Sequence, residues 1–454
     1  MAGVAIILPK NPISSLNRLS EQYNRPNILV ILVDDLGYGD LSSYGAKDLY
    51  TPNIDKLVHS GMRFDNFYAN CPVCSPTRAS LLTGCFPDMV GVPGVIRTFT
   101  RDNFGYLDPR AILLPKVLKK VGYHTALVGK WHLGLTSPNT PTERGFDHFY
   151  GFLGDMMDDY YTHRRSGFNY MRLNQEEIDP HGHATDLFTE AAVEYIRSRR
   201  NKEQPLYLYL AYNAPHAPIQ PPQQWLEKVK TREKGSDEKR TKLIALIEHL
   251  DDGIGKVIQA LNESNKSNDT LIIFTSDNGG QIDLGAHNGR LNGGKGMMYE
   301  GGIRVPMCAV WPNHIDQGTK SDLVALTMDL FPTLCEAAGI GFEHEIDGVS
   351  ILPTLLNKQQ SLNDRFLIWV RREDGRYGGR DYYAIRKGDY KLLQNSPYEV
   401  MKLYDLRVDP MEQIALIDNH DMYHSLFKAL QDHIIKAGAI PWQKYPVKID
   451  ELNH

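Results

Sequence analysis

The chain has no apolar run near the roughly 18 to 20 residues that cross a bilayer, so no membrane partner is expected. It is also poor in cysteine. The five present, at positions 71, 74, 85, 308 and 335, are scattered and odd in number, which argues against a disulfide framework. Positive charge is not in surplus either: a formal net charge of -5 excludes the broad basic surface that bulk nucleic-acid binding needs. Any anionic ligand must therefore be met by local charges. The opening residues, MAGVAIILPK, hold an apolar stretch too short for a signal segment and offer no clear cleavage site. A soluble protein is expected, with the compartment left open and periplasmic or secreted locations included. No internal repeat or low-complexity segment occurs. The glycine-rich stretch 289–306 fails the spacing of a P-loop, so nucleotide phosphate is not the expected ligand.

At 454 residues the chain is long enough for one large domain and a smaller one. Residues 1–25 read as a loose leader. From 26 to about 360, apolar β-favouring runs alternate with helical patterns, the arrangement of a mainly parallel sheet sandwiched by helices. Strands are expected at 27–33, 123–128, 206–212 and 270–275, and helices at 115–121, 185–199 and 237–262, with a helical segment at 321–339 that Pro332 bends or breaks. Residues 150–183 read as an irregular insertion. From 361 to 454, short strands at 366–370, 382–386, 390–393 and 401–406, followed by an amphipathic helix at 422–437, predict a small antiparallel domain.

Each of the four long strands is followed by reactive side chains. The first ends in Asp34-Asp35, and the last in Ser276-Asp277-Asn278. The other two run into Gly129-Lys130-Trp131-His132 and Asn213-Ala214-Pro215-His216. Ligands bind at that edge of open α/β sheets. Asp34, Asp35, Asp277 and Asn278 are hard oxygen donors, suited to Ca²⁺ or Mg²⁺ far better than to zinc. The glycines around 289–306 bring Lys295 towards the same place.

Residues 71–84, CPVCSPTRASLLTG, change from small and polar to the apolar pattern of a helix. Ser75 suits the N-cap and Pro76 the first helical position, which places Cys74 just ahead of a helix N-terminus. That end offers unpaired N–H donors and about half a positive charge. With Arg78 about one turn on, the stretch reads as a nucleophile at a pocket for an anionic tetrahedral group. Cys71 and Cys74 form a C-x-x-C, but no second pair completes a zinc site.

Cys74-Ser75-Pro76-Thr77-Arg78, followed by Leu81, Leu82, Thr83 and Gly84, resembles the signature of the type I sulfatases. The resemblance implies the alkaline phosphatase-like fold and a formylglycine made from Cys74 by an installing enzyme that acts during maturation. It implies that Asp34, Asp35, Asp277 and Asn278 bind a divalent cation, usually calcium, with the Cys74-derived group as a further ligand. In that family the hydrated aldehyde attacks sulfur and its second hydroxyl later expels sulfate. By position, Arg78 would orient the formylglycine, Lys130 and His132 match the lysine and histidine that assist it, and His216 with Lys295 match the pair that holds sulfate and protonates the leaving oxygen. The sequence departs from some arylsulfatases in lacking a sulfate-contacting serine soon after Gly145-Phe146-Asp147.

The expected substrate is a sulfated carbohydrate, attacked from the chain end and of glycosaminoglycan type, with a 2-O-sulfated uronate as the specific expectation. His163, Arg164 and Arg165 in the insertion, and Arg371 and Arg372 near the C-terminus with Arg376 and Arg380, are candidates to meet a carboxylate or second sulfate. The alternatives are a phosphonate or phosphate ester hydrolase of the same superfamily and a non-catalytic binder of sulfated glycans.

Overall fold

The computed structural model describes residues 25–440 apart from 100, 101, 104, 234, 236 and 374–380. The leader 1–24, Arg376 and Arg380 lie outside the described residues. The apolar run after Pro26 forms β1 (Asn27–Val33), buried along its whole length. In chain order follow α1 (Pro52–His59), β2 (Met62–Phe64), α2 (Cys74–Thr83), α3 (Leu114–Lys119), β3 (His124–Lys130), β4 (His148–Phe152), β5 (Met171–Leu173) and β6 (Glu176–Glu177). Next come α4 (Ala184–Ser198), β7 (Leu206–Ala211), α5 (Gln223–Arg232), α6 (Glu238–Glu263), β8 (Thr270–Ser276), β9 (Met307–Val310), β10 (Thr319–Ser321) and α7 (Leu330–Ala337). These strands make one ten-stranded sheet in the order β10-β2-β9-β8-β1-β7-β3-β4-β5-β6. Its centre, β8-β1-β7-β3-β4, is parallel, while β9, β5 and β6 join their neighbours antiparallel.

Alternation along β1 divides the core into two layers. Ile28, Val30 and Leu32 pack on one face with Leu81 and Leu82 of α2 and Leu330 and Leu334 of α7. Leu29, Ile31 and Val33 pack on the other with Phe188 of α4 and Leu246, Leu250 and Ile254 of α6. A strand with both faces covered must be apolar throughout, which is why these runs do not alternate in sequence.

The small C-terminal sheet is β11 (Leu367–Arg372), β12 (Asp381–Lys387), β13 (Tyr390–Gln394) and β14 (Lys402–Asp405), antiparallel in that order, with α8 (His420–Gly438) against it. Gly388, at φ 57, turns β12 into β13 in the left-handed region that favours glycine. Its apolar face shares a core with the large domain: Trp369, Ile385, Leu392 and Leu426 pack in one cluster with Tyr68, Phe86, Met298 and Ile303.

Three local expectations need correction. Helix α2 begins at Cys74 with Val73 at the N-cap, because the Ser75 hydroxyl accepts the Ile96 N–H at 3.0 Å instead of capping. The stretch 321–339 is not one helix: Ala325–Leu326 pairs with Phe67–Tyr68, and α7 starts only at Leu330, with Pro332 in its first turn where a missing N–H is harmless. The insertion is more regular than its sequence shows, since its second half extends the main sheet as β5 and β6 and Arg164–Arg165 pairs with Phe168–Asn169. Strands this short leave no periodic signal.

Candidate active site

Backbone pairing carries the strand ends into one pocket. Beyond β1 and β8 the ladder continues, the Asp277 N–H donating to Val33 O and the Asp34 N–H to Ala214 O, both at 3.1 Å. This fixes Asp34, Asp35, Asp277, Asn278 and the segment leading to His216 at one edge. Asp35 and His132 both hold positive φ, 65 and 59, a conformation that β-carbon residues adopt at a cost and that functional sites often retain.

The Cys74 thiol lies at the first residue of α2, fully enclosed, with Sγ 3.4 Å from Asp34 Oδ1. Burial, then the Asp34 charge, pushes this thiol well above its ordinary range, so the unmodified cysteine is a protonated and poor nucleophile. Arg78, one turn along α2, donates through Nε and Nη2 to Asp277 Oδ2 at 3.1 and 2.7 Å and through Nη1 to Lys130 O at 3.3 Å. Lys130 Nζ reaches Asp34 Oδ2 and Lys295 Nζ reaches Asp35 Oδ2, each at 2.6 Å. Burial raises the Asp34 carboxyl, but Lys130, His216, Arg78 and Lys295 together hold it well below the usual carboxylate range. Asp277 moves the other way, raised by burial and by the neighbouring Asp34 charge.

The histidines are placed by carbonyl oxygens. His132 Nε2 sits 2.8 Å from Ile96 O, leaving Nδ1 buried with no protein partner. The tautomer that donates through Nε2 presents an Nδ1 lone pair to the pocket. Burial, then Lys130, holds this ring well below its ordinary pKa and therefore neutral. His216 Nδ1 sits 2.8 Å from Ala217 O and its Nε2 is 3.6 Å from Asp35 Oδ2. Burial and Lys295 lower its pKa as well.

Asp34, Asp35, Cys74 and His216 offer donor atoms within 4.8 Å of one another. Asn278 donates through Nδ2 to Asp35 Oδ1 at 2.8 Å, while its Oδ1 is buried and has no hydrogen-bond partner. An orphaned carbonyl oxygen beside three crowded carboxylates is the environment a hard divalent cation relieves. The residues fit such an ion.

The other expected residues are held by partners of their own. In the insertion, His163 Nε2 meets Gly182 O at 2.9 Å, Arg164 pairs with Asp179 at 2.7 Å, and Arg165 pairs with Asp155 at 3.0 Å and Asp158 at 2.7 Å. Arg372 contacts Asp381 at 3.1 Å and the Tyr383 hydroxyl. Arg371 is brought to the pocket's back wall, where its Nη1 donates to Gly296 O at 2.5 Å.

Two residues behind the pocket escape a reading of the sequence. The Tyr160 hydroxyl hydrogen-bonds to His216 O at 2.7 Å and to Asn213 O at 3.1 Å. Nothing in its flanking residues marks it. Glu373 binds Arg371 at 3.1 Å and Arg97 at 3.0 Å. It could have been suspected by the signal that found Asp34, a carboxylate just past a strand end.

Fold and site together define an α/β protein of the alkaline phosphatase-like class, with Cys74 at a helix N-terminus among buried carboxylates and cationic side chains. Residues 26–340 match the Sulfatase family, and residues 293–439 match the family described as N-sulphoglucosamine sulphohydrolase, C-terminal. The chain is 34% identical over 451 residues to N-acetylgalactosamine-6-sulfatase of Homo sapiens, covering 93% of this chain and 81% of that one. Arylsulfatase A of Homo sapiens is 31% identical over 445 residues, with 86% and 83% covered. Among solved structures, Ps i-CgsB in complex with k-i-k-neocarrahexaose superposes with a TM-score of 0.82 at 30% identity, covering 94% of this chain and 96% of that one. The PsFucS1 sulfatase from Pseudoalteromonas sp. gives a TM-score of 0.77 at 25% identity, with 96% of each chain covered. This chain belongs to the sulfatase family. It is a sulfuric ester hydrolase.

Proposed function

We propose that the chain removes O-sulfate from a carbohydrate, acting at the chain end of a sulfated oligosaccharide through a formylglycine made from Cys74 by a separate installing enzyme. The observation that carries the reading is the enclosed Cys74 at the start of α2, with Asp34 3.4 Å away and Arg78, Lys130 and Lys295 arrayed on the surrounding carboxylates. Asp34, Asp35, Asp277 and Asn278, with the Cys74-derived group, would hold a divalent cation, calcium by the hardness and number of the oxygens. Such a cation would supply charge for sulfate oxygens, and the Cys74-derived group, once hydrated, would supply the hydroxyls for attack on sulfur and for release of sulfate.

The remaining work falls to this chain's side chains. Arg78 and Lys130 hold the Cys74-derived side chain against Asp277 and Asp34. His132, neutral and with Nδ1 unpartnered, accepts the proton whose removal releases sulfate. Lys295, kept charged by Asp35 and Asp34 against the effect of burial, and His216 at the same carboxylate, hold sulfate oxygens and hand a proton to the leaving alcohol. Arg164 and Arg165, half-buried on the insertion, are the proposed contacts for a second anionic group on the sugar, which would exchange for the exposed Asp158 or Asp179 while the buried Asp155 keeps its hold on Arg165. A sulfated glycan is favoured by the named relatives, one an N-acetylgalactosamine-6-sulfatase and one solved with a neocarrahexaose.

Mass spectrometry of the peptide spanning Cys74 tests the reading, on protein assayed in parallel with 6-O-sulfated N-acetylgalactosamine and 2-O-sulfated uronate oligosaccharides. The expected result is a mass about 18 Da below the cysteine form, tracking with sulfate release and absent in an inactive Cys74→Ala protein. Activity persisting in that variant would overturn it. Full conversion with hydrolysis of phosphorus esters alone would promote the phosphate or phosphonate alternative.

A further inference from the structure

Strand β11 of the small sheet runs along the back of the catalytic loops and touches each in turn. The Trp369 indole N–H donates to Ala69 O at 2.7 Å, and the Cys71 thiol donates to Val370 O at 3.3 Å, so the strand braces the segment leading into Cys74. The Arg372 N–H donates to Pro93 O at 2.9 Å, which fixes the start of the 93–97 loop. Between these contacts lies Arg371, 4% exposed, and just beyond the strand lies Glu373, also 4% exposed.

Arg371 spends its guanidinium on two partners. Nε and Nη2 donate to Glu373 Oε1 at 3.2 and 3.1 Å, and Nη1 donates to Gly296 O at 2.5 Å. Gly296 adjoins Lys295 and holds φ 86; a Cβ there would meet Arg371 Nη1 at 2.6 Å. The same loop is held at its preceding peptides, the Gly296 N–H by Pro72 O at 2.8 Å and the Lys295 N–H by Gly280 O at 3.0 Å. Glu373 Oε2 accepts from Arg97 Nη2 at 3.0 Å. Arg97 adjoins Ile96, whose carbonyl orients His132 and whose N–H is bound by Ser75 Oγ. One carboxylate thus joins the backbone supports of the lysine and of the histidine.

We propose that Glu373 is a positioning residue for sulfate ester hydrolysis. Through Arg371 it sets the Lys295 loop, and through Arg97 it sets the carbonyl that aims His132. The proposal rests on the reading above that Lys295 and His132 act on the sulfate. Arg371 on this account holds protein backbone and does not contact sugar, because it is buried and its Nε, Nη1 and Nη2 each donate inside the fold. The energetic logic is that the buried Arg371 guanidinium and the partly buried Arg97, without their carboxylate, must find other acceptors, and the loops move to supply them. A displacement of that kind costs turnover even where the reacting groups are untouched, of order 10²-fold for about 1 Å.

The test uses the full chain with its formylglycine content measured by mass spectrometry, and compares Glu373→Gln, Glu373→Asp and Arg371→Lys on an O-sulfated disaccharide that the unaltered enzyme hydrolyses. Glu373→Gln is expected to lower kcat by about 10- to 100-fold with KM within about twofold, per formylglycine present. Glu373→Asp should recover part of the loss. The double variant Glu373→Gln/Arg371→Lys should cost no more than about the larger single, because both act through one link. A rise in KM at unchanged kcat would overturn the proposal in favour of a sugar contact, and a lowered melting temperature at unchanged kcat and KM would reduce the cluster to a structural staple. Lys295→Ala is the separate control: full activity there would refute the role given to Lys295 whatever Glu373 does.

Discussion

Lys130 Nζ lies 2.6 Å from Asp34 Oδ2, and neither side chain is exposed. The pair sits where β3 ends beside β7, at a point where Gly129 lets the backbones close: at φ 106, a Cβ would meet Ala211 O at 2.0 Å. Lys130→Met would leave Asp34 with a lost partner and strip one cation from the sulfate pocket. Sulfate release is expected to fall by about 10²- to 10³-fold, the range for deleting a preorganised charged donor. Steady-state rates on folded variant, with far-UV circular dichroism as the folding check, decide it.

Chelation should act on activity and on stability together. Three carboxylates and an orphaned amide oxygen repel one another in the ion-free protein, so a cation that binds only the folded chain stabilises it by about 2.7 kcal/mol at a hundredfold excess over its Kd. Treatment with a chelator is expected to abolish sulfate release and lower the melting temperature, with calcium restoring both. In Asn278→Ala, which removes the unpartnered Oδ1, the calcium-induced rise in melting temperature should shrink. An equal rise in the two proteins would show that Asn278 is not a ligand.

Tyr160→Phe removes only the hydroxyl that binds the His216 and Asn213 carbonyls. A hydrogen bond of this kind is worth about 1 kcal/mol, and the loss falls on the His216 carbonyl, since Asn213 O still accepts the His216 N–H at 3.0 Å. Turnover is expected to drop about 5- to 10-fold while formylglycine content stays at the wild-type level. Rates indistinguishable from wild type would mean that His216 is held by its own loop.

A second histidine cluster sets an acid limit on stability. His183 caps α4, its Nδ1 accepting the Thr185 N–H and its Nε2 meeting Gln220 O, while its ring lies 4.8 Å from that of His249, which pairs with Asp186 at 2.8 Å. Burial, then His249, pushes the His183 pKa from 6.5 down to about 4. The unfolded chain therefore binds more protons between these values, so the contribution is complete above pH 6.5 and is lost as pH falls towards 4. Its size is on the order of 3 kcal/mol. His183→Asn, which preserves a cap, should flatten the fall in urea midpoint across that window; an unchanged slope would assign the acid sensitivity elsewhere.

What the sequence discloses follows from the length scale of each interaction. The strand at Asn27–Val33 is legible to the residue because a two-sided burial requirement is written in consecutive side chains. The pairing of Asp34 with Asp277 is legible because both close similar apolar runs, and parallel strands bring like ends together. The supports are not legible. Glu373 meets Arg97 across 276 positions and Tyr160 meets His216 across 56, and no local pattern registers a contact that exists only after the chain has closed. Short pieces such as β5 and β6 fall below any periodicity for the same reason, since their pairing is decided by the neighbouring strand.

The shared core beneath β11 bears on whether the C-terminal segment can be exchanged. Trp369 is fully enclosed against Tyr68, and His433 of α8 closes on Asp88 at 2.9 Å, just beyond α2. The small sheet is thus no free-standing cassette in this chain. A C-terminal segment cut from another protein would arrive with a back wall shaped for other loops, and would leave Ala69 O, Pro93 O and the Cys71 thiol to find new partners.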